Sequence, residues 1–268
     1  MVRRLVQQLQ AHARVCALVV FLCAFPLLGV GQAGPQRDAQ AVAVLTKSLN
    51  ASGSVGAVLD FKGTGTIAYN WAGKSVVGSV AIQGKGPGQF RMDSNVSGQA
   101  RSLIVNGHGG ALVGSNGEKT PLPYRHALTA SSMAMPGGIV ELALTDKATT
   151  VVGGNLVRWN DTEAYCVHVE PSSEEAFRRD VIHPGLGVFE LYIDPNSYQV
   201  VGLAERILAI NDPRQPYLHE ISFSNYTPTD NIALPFKITE RINGQMTWSI
   251  SLESLSLNTG VLDSLFTM

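Results

Sequence analysis

Beyond position 33, the residues that could carry chemistry are five histidines, one cysteine and a scatter of carboxylates. The histidines are His108, His126, His168, His183 and His219. His219-Glu220 begins like the HExxH zinc-protease signature, but Ile221-Ser222-Phe223 follows and the second metal-binding histidine is missing. Cys166 and His168 stand two apart, so on a strand they project from one face and could share a metal. Two ligands do not complete a four-coordinate site, and the plain reading is a half-buried thiol beside a polar neighbour. Gly107-His108-Gly109-Gly110 has the glycine content of a lipase oxyanion loop, yet the chain holds no Gly-x-Ser-x-Gly elbow to supply the nucleophile. Gly84-Lys85-Gly86-Pro87-Gly88 lacks the trailing Lys-Ser/Thr of a phosphate cradle, so both glycine segments read as turns. Asp60, Asp93, Glu163, Glu170, Glu205, Glu220 and Glu240 could converge in space but show no paired spacing, and most read as solvated charges on strand faces. These observations predict a protein that is not an enzyme, with no catalytic residues, no bound metal and no cofactor.

The amino terminus reads as an address. Arg3, Arg4 and Arg14 precede an apolar run over residues 15–30, and Gly31-Gln32-Ala33 offers small side chains for cleavage after Ala33. The run is shorter than the roughly 20 residues of a spanning helix, and Pro26 interrupts it. The expected organisation is a signal peptide over 1–33 and a single domain over 34–268, periplasmic or secreted, with no stable membrane span after cleavage. Cys16 and Cys23 leave with the signal, so Cys166 has no disulfide partner within the chain and the core alone must hold the fold. Without the three arginines, 17 basic residues remain against 21 acidic ones, a formal charge of −4. That balance argues against nucleic acid as a partner.

The elements that would position any site follow from periodicity. Asp38 to Asn50 carries Ala39, Val42, Ala43, Thr46 and Leu49 on one helical stripe, with Asp38 placed to cap the start and Gly53 to end it. After Gly53 the period becomes two. Ile67, Tyr69 and Trp71 share a strand face, as do Val76, Val80 and Ile82, then Phe90 and Met92, and later Tyr165, Val167 and Val169. Leu234, Phe236, Ile238 and Ile242, then Met246, Trp248, Ile250 and Leu252, mark two further strands. Ala72-Gly73, Asn106-Gly107, Asn116-Gly117 and Asn243-Gly244 are hairpin signals, and Asp194-Pro195-Asn196-Ser197 is a turn. The pattern predicts ten to twelve strands in an antiparallel meander. Two interruptions, 120–144 with short helical stretches at 124–128 and 139–144, and 171–188, read as a lid or binding loops.

A helix followed by a long meander can curl into an unclosed barrel with a dry interior. The order of elements, with Gly86-Pro87-Gly88-Gln89-Phe90-Arg91-Met92, Leu191-Tyr192-Ile193-Asp194-Pro195 and Asn231-Ile232-Ala233-Leu234-Pro235-Phe236-Lys237-Ile238, resembles the LolA/LolB-like superfamily of outer-membrane lipoprotein-sorting carriers, and within it secreted acidobacterial members. The resemblance spans most of residues 34–268. It implies a mainly β fold with few helices: an unclosed antiparallel β-barrel wrapped around an N-terminal helix and a short helical lid. It also implies a cofactor-free periplasmic protein that shields acyl chains. The carriers place a functional arginine just before the proline of a Pro-x-x-Phe segment; here Gly86 stands there, with Lys85 and Arg91 nearby.

The expected function is therefore non-enzymatic binding and carriage of lipoprotein acyl chains, lipid or another hydrophobic ligand, with transient contact to envelope proteins. The alternative is a structural or interaction module of the cell envelope that uses the same sheet without a ligand. Phe90, Met92, Tyr165, Phe236 and Trp248 are the expected ligand-contacting residues, because apolar binding scales with buried area and large side chains supply most of it.

Overall fold

The structure, a computed structural model, describes residues 34–268 apart from 54, 72, 87, 107–108, 123–132, 171–187 and 210–211. The expected signal peptide, the short helix at 124–128 and nearly all of the 171–188 interruption lie outside the described residues. Among the described residues two α-helices, α1 (Ala39–Ser52) and α2 (Pro136–Thr145), accompany the strands. The strands are β1 (Asp60–Trp71), β2 (Lys74–Lys85), β3 (Gln89–Val96), β4 (Gln99–Asn106), β5 (Gly109–Val113) and β6 (Lys119–Leu122), then β7 (Thr150–Trp159), β8 (Thr162–Glu170), β9 (Phe189–Ile193), β10 (Val200–Ala209), β11 (Asp212–Thr229), β12 (Ile232–Ile242) and β13 (Gln245–Leu257).

All thirteen strands form one antiparallel sheet in the order β6-β5-β4-β3-β2-β1-β13-β12-β11-β10-β9-β8-β7, and it does not close. This is the mainly β, antiparallel architecture that the alternation predicts and the unclosed form that the resemblance implies, with thirteen strands instead of ten to twelve and a different connection. The sheet is two meanders, β1–β6 and β7–β13, joined where the first strand pairs with the last, from Phe61↔Leu257 to Tyr69↔Trp248. Consecutive strands β6 and β7 sit at opposite edges. Hairpin signals encode only nearest-neighbour pairing, so they cannot reveal this crossing.

Burial follows the alternation closely. Val80 and Ile82 of β2, Phe90 and Met92 of β3, Val167 and Val169 of β8, and Trp248, Ile250 and Leu252 of β13 are buried. These inward residues share one core with Ala41, Val44 and Leu45 of α1 and Ile139 and Val140 of α2. The Asn243-Gly244 hairpin has φ of 50° and 77° at its two central residues, the conformation that asparagine and glycine tolerate.

Helix α1 buries a different stripe from the one its sequence suggests. Ala41, Val44, Leu45, Ser48 and Ser52 face inward, while Ala39, Ala43 and Thr46 are exposed and Val42 and Leu49 are half-buried. The small serines admit α2 closely: a Cβ on Gly137 would lie 3.2 Å from the Ser52 side chain. Asp38 does not cap the helix through its side chain; that carboxylate accepts from Gly153 N–H at 3.1 Å. The residues before α1 instead pair with the β7 edge through Asp38 N to Val151 O and Val151 N to Gln36 O, both 2.8 Å. Gly154, at φ 88°, lets α1 lie against this edge, since a Cβ there would sit 3.1 Å from Ala41 N. Arg37 closes the arrangement. Its guanidinium donates to the carbonyls of Ala143, Leu144, Asp146 and Thr149 at 3.0–3.2 Å, satisfying carbonyls at the C-terminal end of α2, where a cation is favoured.

On the outer face, Trp159 stacks on Tyr192 at 3.8 Å and lies over Gly202, where a Cβ would come within 2.4 Å of the indole. The chain end also packs outside. Phe266 is fully buried, Arg91 donates to Leu265 O at 3.0 Å and Lys85 pairs with Asp263 at 2.8 Å. The return of the chain after β13 is held by Asp60, whose buried carboxylate accepts from Thr259 N at 2.6 Å, Thr259 Oγ1 at 2.9 Å and Gly260 N at 3.0 Å. Asp60 is therefore not one of the solvated strand-face charges that its sequence context suggests.

Burial opposes the Asp60 charge, but the hydrogen bonds from Thr259 and Gly260 outweigh it and hold its pKa below the ordinary carboxylate value. Its contribution is thus complete above about pH 4 and is lost as pH falls through the lower folded value. Asp60→Asn is expected to cost about 1–3 kcal/mol at neutral pH in urea denaturation. The gap from the parent should narrow as the acid limb is descended; an unchanged gap at pH 3 would contradict this role.

Candidate functional site

A cavity of about 530 Å³ opens across the join between the two meanders. The first meander contributes Tyr69 from β1, Met92 and Ser94 from β3, Arg101 and Leu103 from β4, Leu112 from β5 and Leu122 from β6. The second contributes Ile207 from β10, His219 from β11, Glu240 and Ile242 from β12 and Trp248 from β13, and Met133 from the segment before α2 also lines it. Register explains the convergence, because Tyr69 opposes Trp248, Met92 opposes Leu103 and Leu103 opposes Leu112. Residues paired across neighbouring strands project to the same face, so their side chains form a continuous wall.

Of the residues expected from sequence to contact ligand, Met92 and Trp248 line this cavity. Phe90 is 1% exposed and packs near Phe61, with ring centroids 6.4 Å apart, in the filled core. Tyr165 stacks on Tyr198 at 6.1 Å, with the Lys47 ammonium over the Tyr198 ring. Phe236 packs half-buried against the core. Strand alternation groups residues by face but settles neither which face is inward nor how far along it the side chains fill the interior.

One wall of the cavity is charged. His219 Nδ1 donates to Glu205 Oε1 at 2.9 Å, and Nε2 donates to Glu240 Oε1 at 3.0 Å. A carboxylate only accepts, so both ring nitrogens carry hydrogen and the ring is an imidazolium. Thr247 Oγ1 donates to the second oxygen of Glu240. The side chains of His219 and Glu205 are 10% and 2% exposed, and that of Glu240 is 18% exposed. Burial disfavours the ring's charge, but hydrogen bonds to Glu205 and Glu240, reinforced by their negative charge, push its pKa up to about 9.

In sequence, Glu205 and Glu240 stand among carboxylates that mostly read as solvated, and His219 has no role; in the structure the three converge. A signal was present. Glu240 falls between Ile238 and Ile242 in the inward parity of its strand, and Glu205 falls between Leu203 and Ile207 in the same way. A polar residue in a dry parity needs a partner. Which partner it finds depends on register between strands, here Glu205↔His219 in β10–β11 and Ile221↔Glu240 in β11–β12.

Cys166 and His168 do share a face, the outer one, and Glu190 stands between them. Cys166 donates to Glu190 Oε2 at 3.1 Å, and His168 Nδ1 lies 2.8 Å from Glu190 Oε1. Burial, followed by the Glu190 hydrogen bond, pushes the thiol up to about 12, which leaves it unreactive. Among the described residues, no group of three or more His, Cys, Asp or Glu is arranged to hold a metal ion.

The imidazolium contributes stability that is complete below about pH 6.5 and lost as pH rises through about 9. Its differential protonation corresponds to up to about 3 kcal/mol. An NMR titration is expected to show one histidine with its midpoint well above the ordinary range, absent in His219→Gln. The parent's melting temperature should fall between pH 6.5 and 9 more steeply than the variant's; parallel slopes would refute the assignment.

No family profile matches the sequence, and no curated protein does. Solved structures do. A DUF1329 family protein from Desulfovibrio piger superposes with a TM-score of 0.53 at 10% identity, covering 85% of this chain and 97% of the other. An outer-membrane lipoprotein-sorting protein domain from Vibrio parahaemolyticus gives 0.52 at 9% identity, covering 85% and 96%. A LolA superfamily protein from Nitrosomonas europaea gives 0.50 at 11% identity, covering 85% and 97%. At such identities the likeness is one of fold: this chain has a LolA-like fold.

Proposed function

We propose that the protein is a non-enzymatic carrier that takes the apolar chain of a lipid, a lipoprotein or a related hydrophobic ligand into the cavity across the β1–β13 join. The observation that carries this reading is the cavity itself. Its volume of about 530 Å³ falls within the roughly 300–1,000 Å³ of small-molecule sites. Most of its wall is apolar, with Met92, Leu103, Leu112, Met133, Ile242 and Trp248 among the lining side chains. Apolar burial is non-directional and scales with area, so such a wall suits a flexible chain better than a polar metabolite. The LolA-like fold supports the reading, as does the description of the Vibrio parahaemolyticus neighbour as a lipoprotein-sorting domain.

The place of action follows from the amino terminus. Residues 1–33 act as a signal peptide, and 34–268 work as one domain in the periplasm or outside the cell. Among the described residues, no helix is long and apolar enough to cross a membrane. Loading and release proceed through transient contact with envelope proteins or with the lipid source, and no cofactor takes part.

A series of neutral alkyl alcohols competing with the fluorescent apolar probe N-phenylnaphthylamine tests the chain-binding reading. Each added methylene is expected to tighten binding by about 0.8 kcal/mol, or about fourfold, until the cavity is full. Leu112→Trp places bulk on a lining side chain that is 44% exposed. It is expected to weaken the longer alcohols by about tenfold, or about 1.4 kcal/mol, with little change in melting temperature. Failure of the probe and every alcohol to bind would refute the function.

A further inference from the structure

The charged wall of the cavity tells which end of an amphiphile it receives. Glu240 and His219 line the space, while Glu205 lies behind the ring and is nearly fully buried. Two carboxylates share one imidazole, so the group is net negative whether or not the ring is protonated. The hydrogen-bond inventory points the same way. Both ring N–H groups are committed to the glutamates, and the Thr247 hydroxyl is committed to Glu240. Carboxylate oxygens can each accept more than one hydrogen bond, so Glu240 keeps accepting capacity toward the cavity. Of the lining hydroxyls, Ser102 donates to Asp93 at 2.5 Å and Tyr69 and Ser94 share one hydrogen bond at 3.4 Å, which leaves one of their two protons, while Thr120 lies on the edge strand β6. The inner wall therefore has acceptors to spare and few free donors. Toward solvent, exposed Arg101 and Glu118 also line the space; their formal charges cancel, although the Arg101 guanidinium is a donor within reach of an anion there.

In a water-poor pocket these features act strongly, because Coulomb interactions grow as the effective dielectric falls. An anionic head group would meet negative charge with few donors to satisfy it, and would be left partly desolvated. An ammonium would find carboxylate oxygens within a low-dielectric wall and donate to them. We propose that the cavity selects amphiphiles with a cationic, donor-rich head group, an alkylammonium-type amine in particular, and discriminates against carboxylates of the same chain. The proposal rests on the reading of the cavity as a ligand site and adds the chemistry of the ligand's polar end.

Decylammonium, decanol and decanoate share one chain length and differ in head group. Their competition against N-phenylnaphthylamine at neutral pH, each below its micelle concentration, separates the two readings. The ammonium is expected to bind at least about tenfold more tightly than the carboxylate, with the alcohol between them. Glu240→Gln is expected to shrink the ammonium-to-carboxylate ratio several-fold. Equal binding of the three, or tighter binding of decanoate, would overturn the head-group preference while leaving the chain-binding function standing. Binding of none of them would overturn both, and the Glu205–His219–Glu240 group would then be only a clamp between strands. The comparison among ligands uses the unaltered protein, so it holds even if the Glu240 variant folds poorly.

Discussion

The pairing of β1 with β13 is the interaction on which the rest depends. Each meander is locally connected by hairpins, but the two halves become one sheet only along this ladder. The ladder carries a bulge between Thr64 and Gly65, where a Cβ would lie 2.2 Å from Ser251 O, so glycine is needed for the strands to approach. The cavity straddles the same join and draws its wall from both halves. Forming the site thus requires contacts between residues about 180 positions apart, a long-range closure of the kind that makes β topologies fold slowly.

Among the described residues, buried charge is used at two places, in both with its hydrogen bonds supplied. Asp60 is satisfied by backbone and hydroxyl donors from the chain that returns after β13, so it fastens the last strand's exit to the first strand's start. Glu205, His219 and Glu240 satisfy one another across β10, β11 and β12. Their arrangement differs in one respect: Asp60 is enclosed, whereas His219 and Glu240 keep a face toward the cavity. A buried ion group is weak evidence for stability, since desolvation offsets much of its attraction. Its position in the wall of a mostly apolar space is what the proposed head-group preference rests on.

The helices bring the remaining order. Arg37 gathers four carbonyls around the end of α2, and the residues beside it pair with the β7 edge. Part of an open edge strand is thereby covered, which limits its use as a template for another chain. The core made by α1, α2 and the inward sheet residues fills that part of the interior, and the cavity opens at the β1–β13 join.

By itself the sequence determined most of the strands, which residues share a strand face, the Asn243-Gly244 hairpin and the two helices that lie among the described residues. These are local properties, set by side-chain parity and by residues such as Asn243-Gly244 that accept positive φ. It also carried the family likeness that pointed to an unclosed barrel. Only the tertiary structure decided that α1 turns Ser48 and Ser52 inward, because that choice depends on how closely α2 approaches. Only it placed Phe90 in the filled core and Met92 in the cavity wall, since both lie on the same face of one strand. The same limit hid the charged group. Glu205, His219 and Glu240 are spread over 36 positions and meet only through the registers of two strand pairs, which no local window contains. Chemistry that depends on spacing along a chain can be read from it; chemistry that depends on spacing across a sheet waits for the fold.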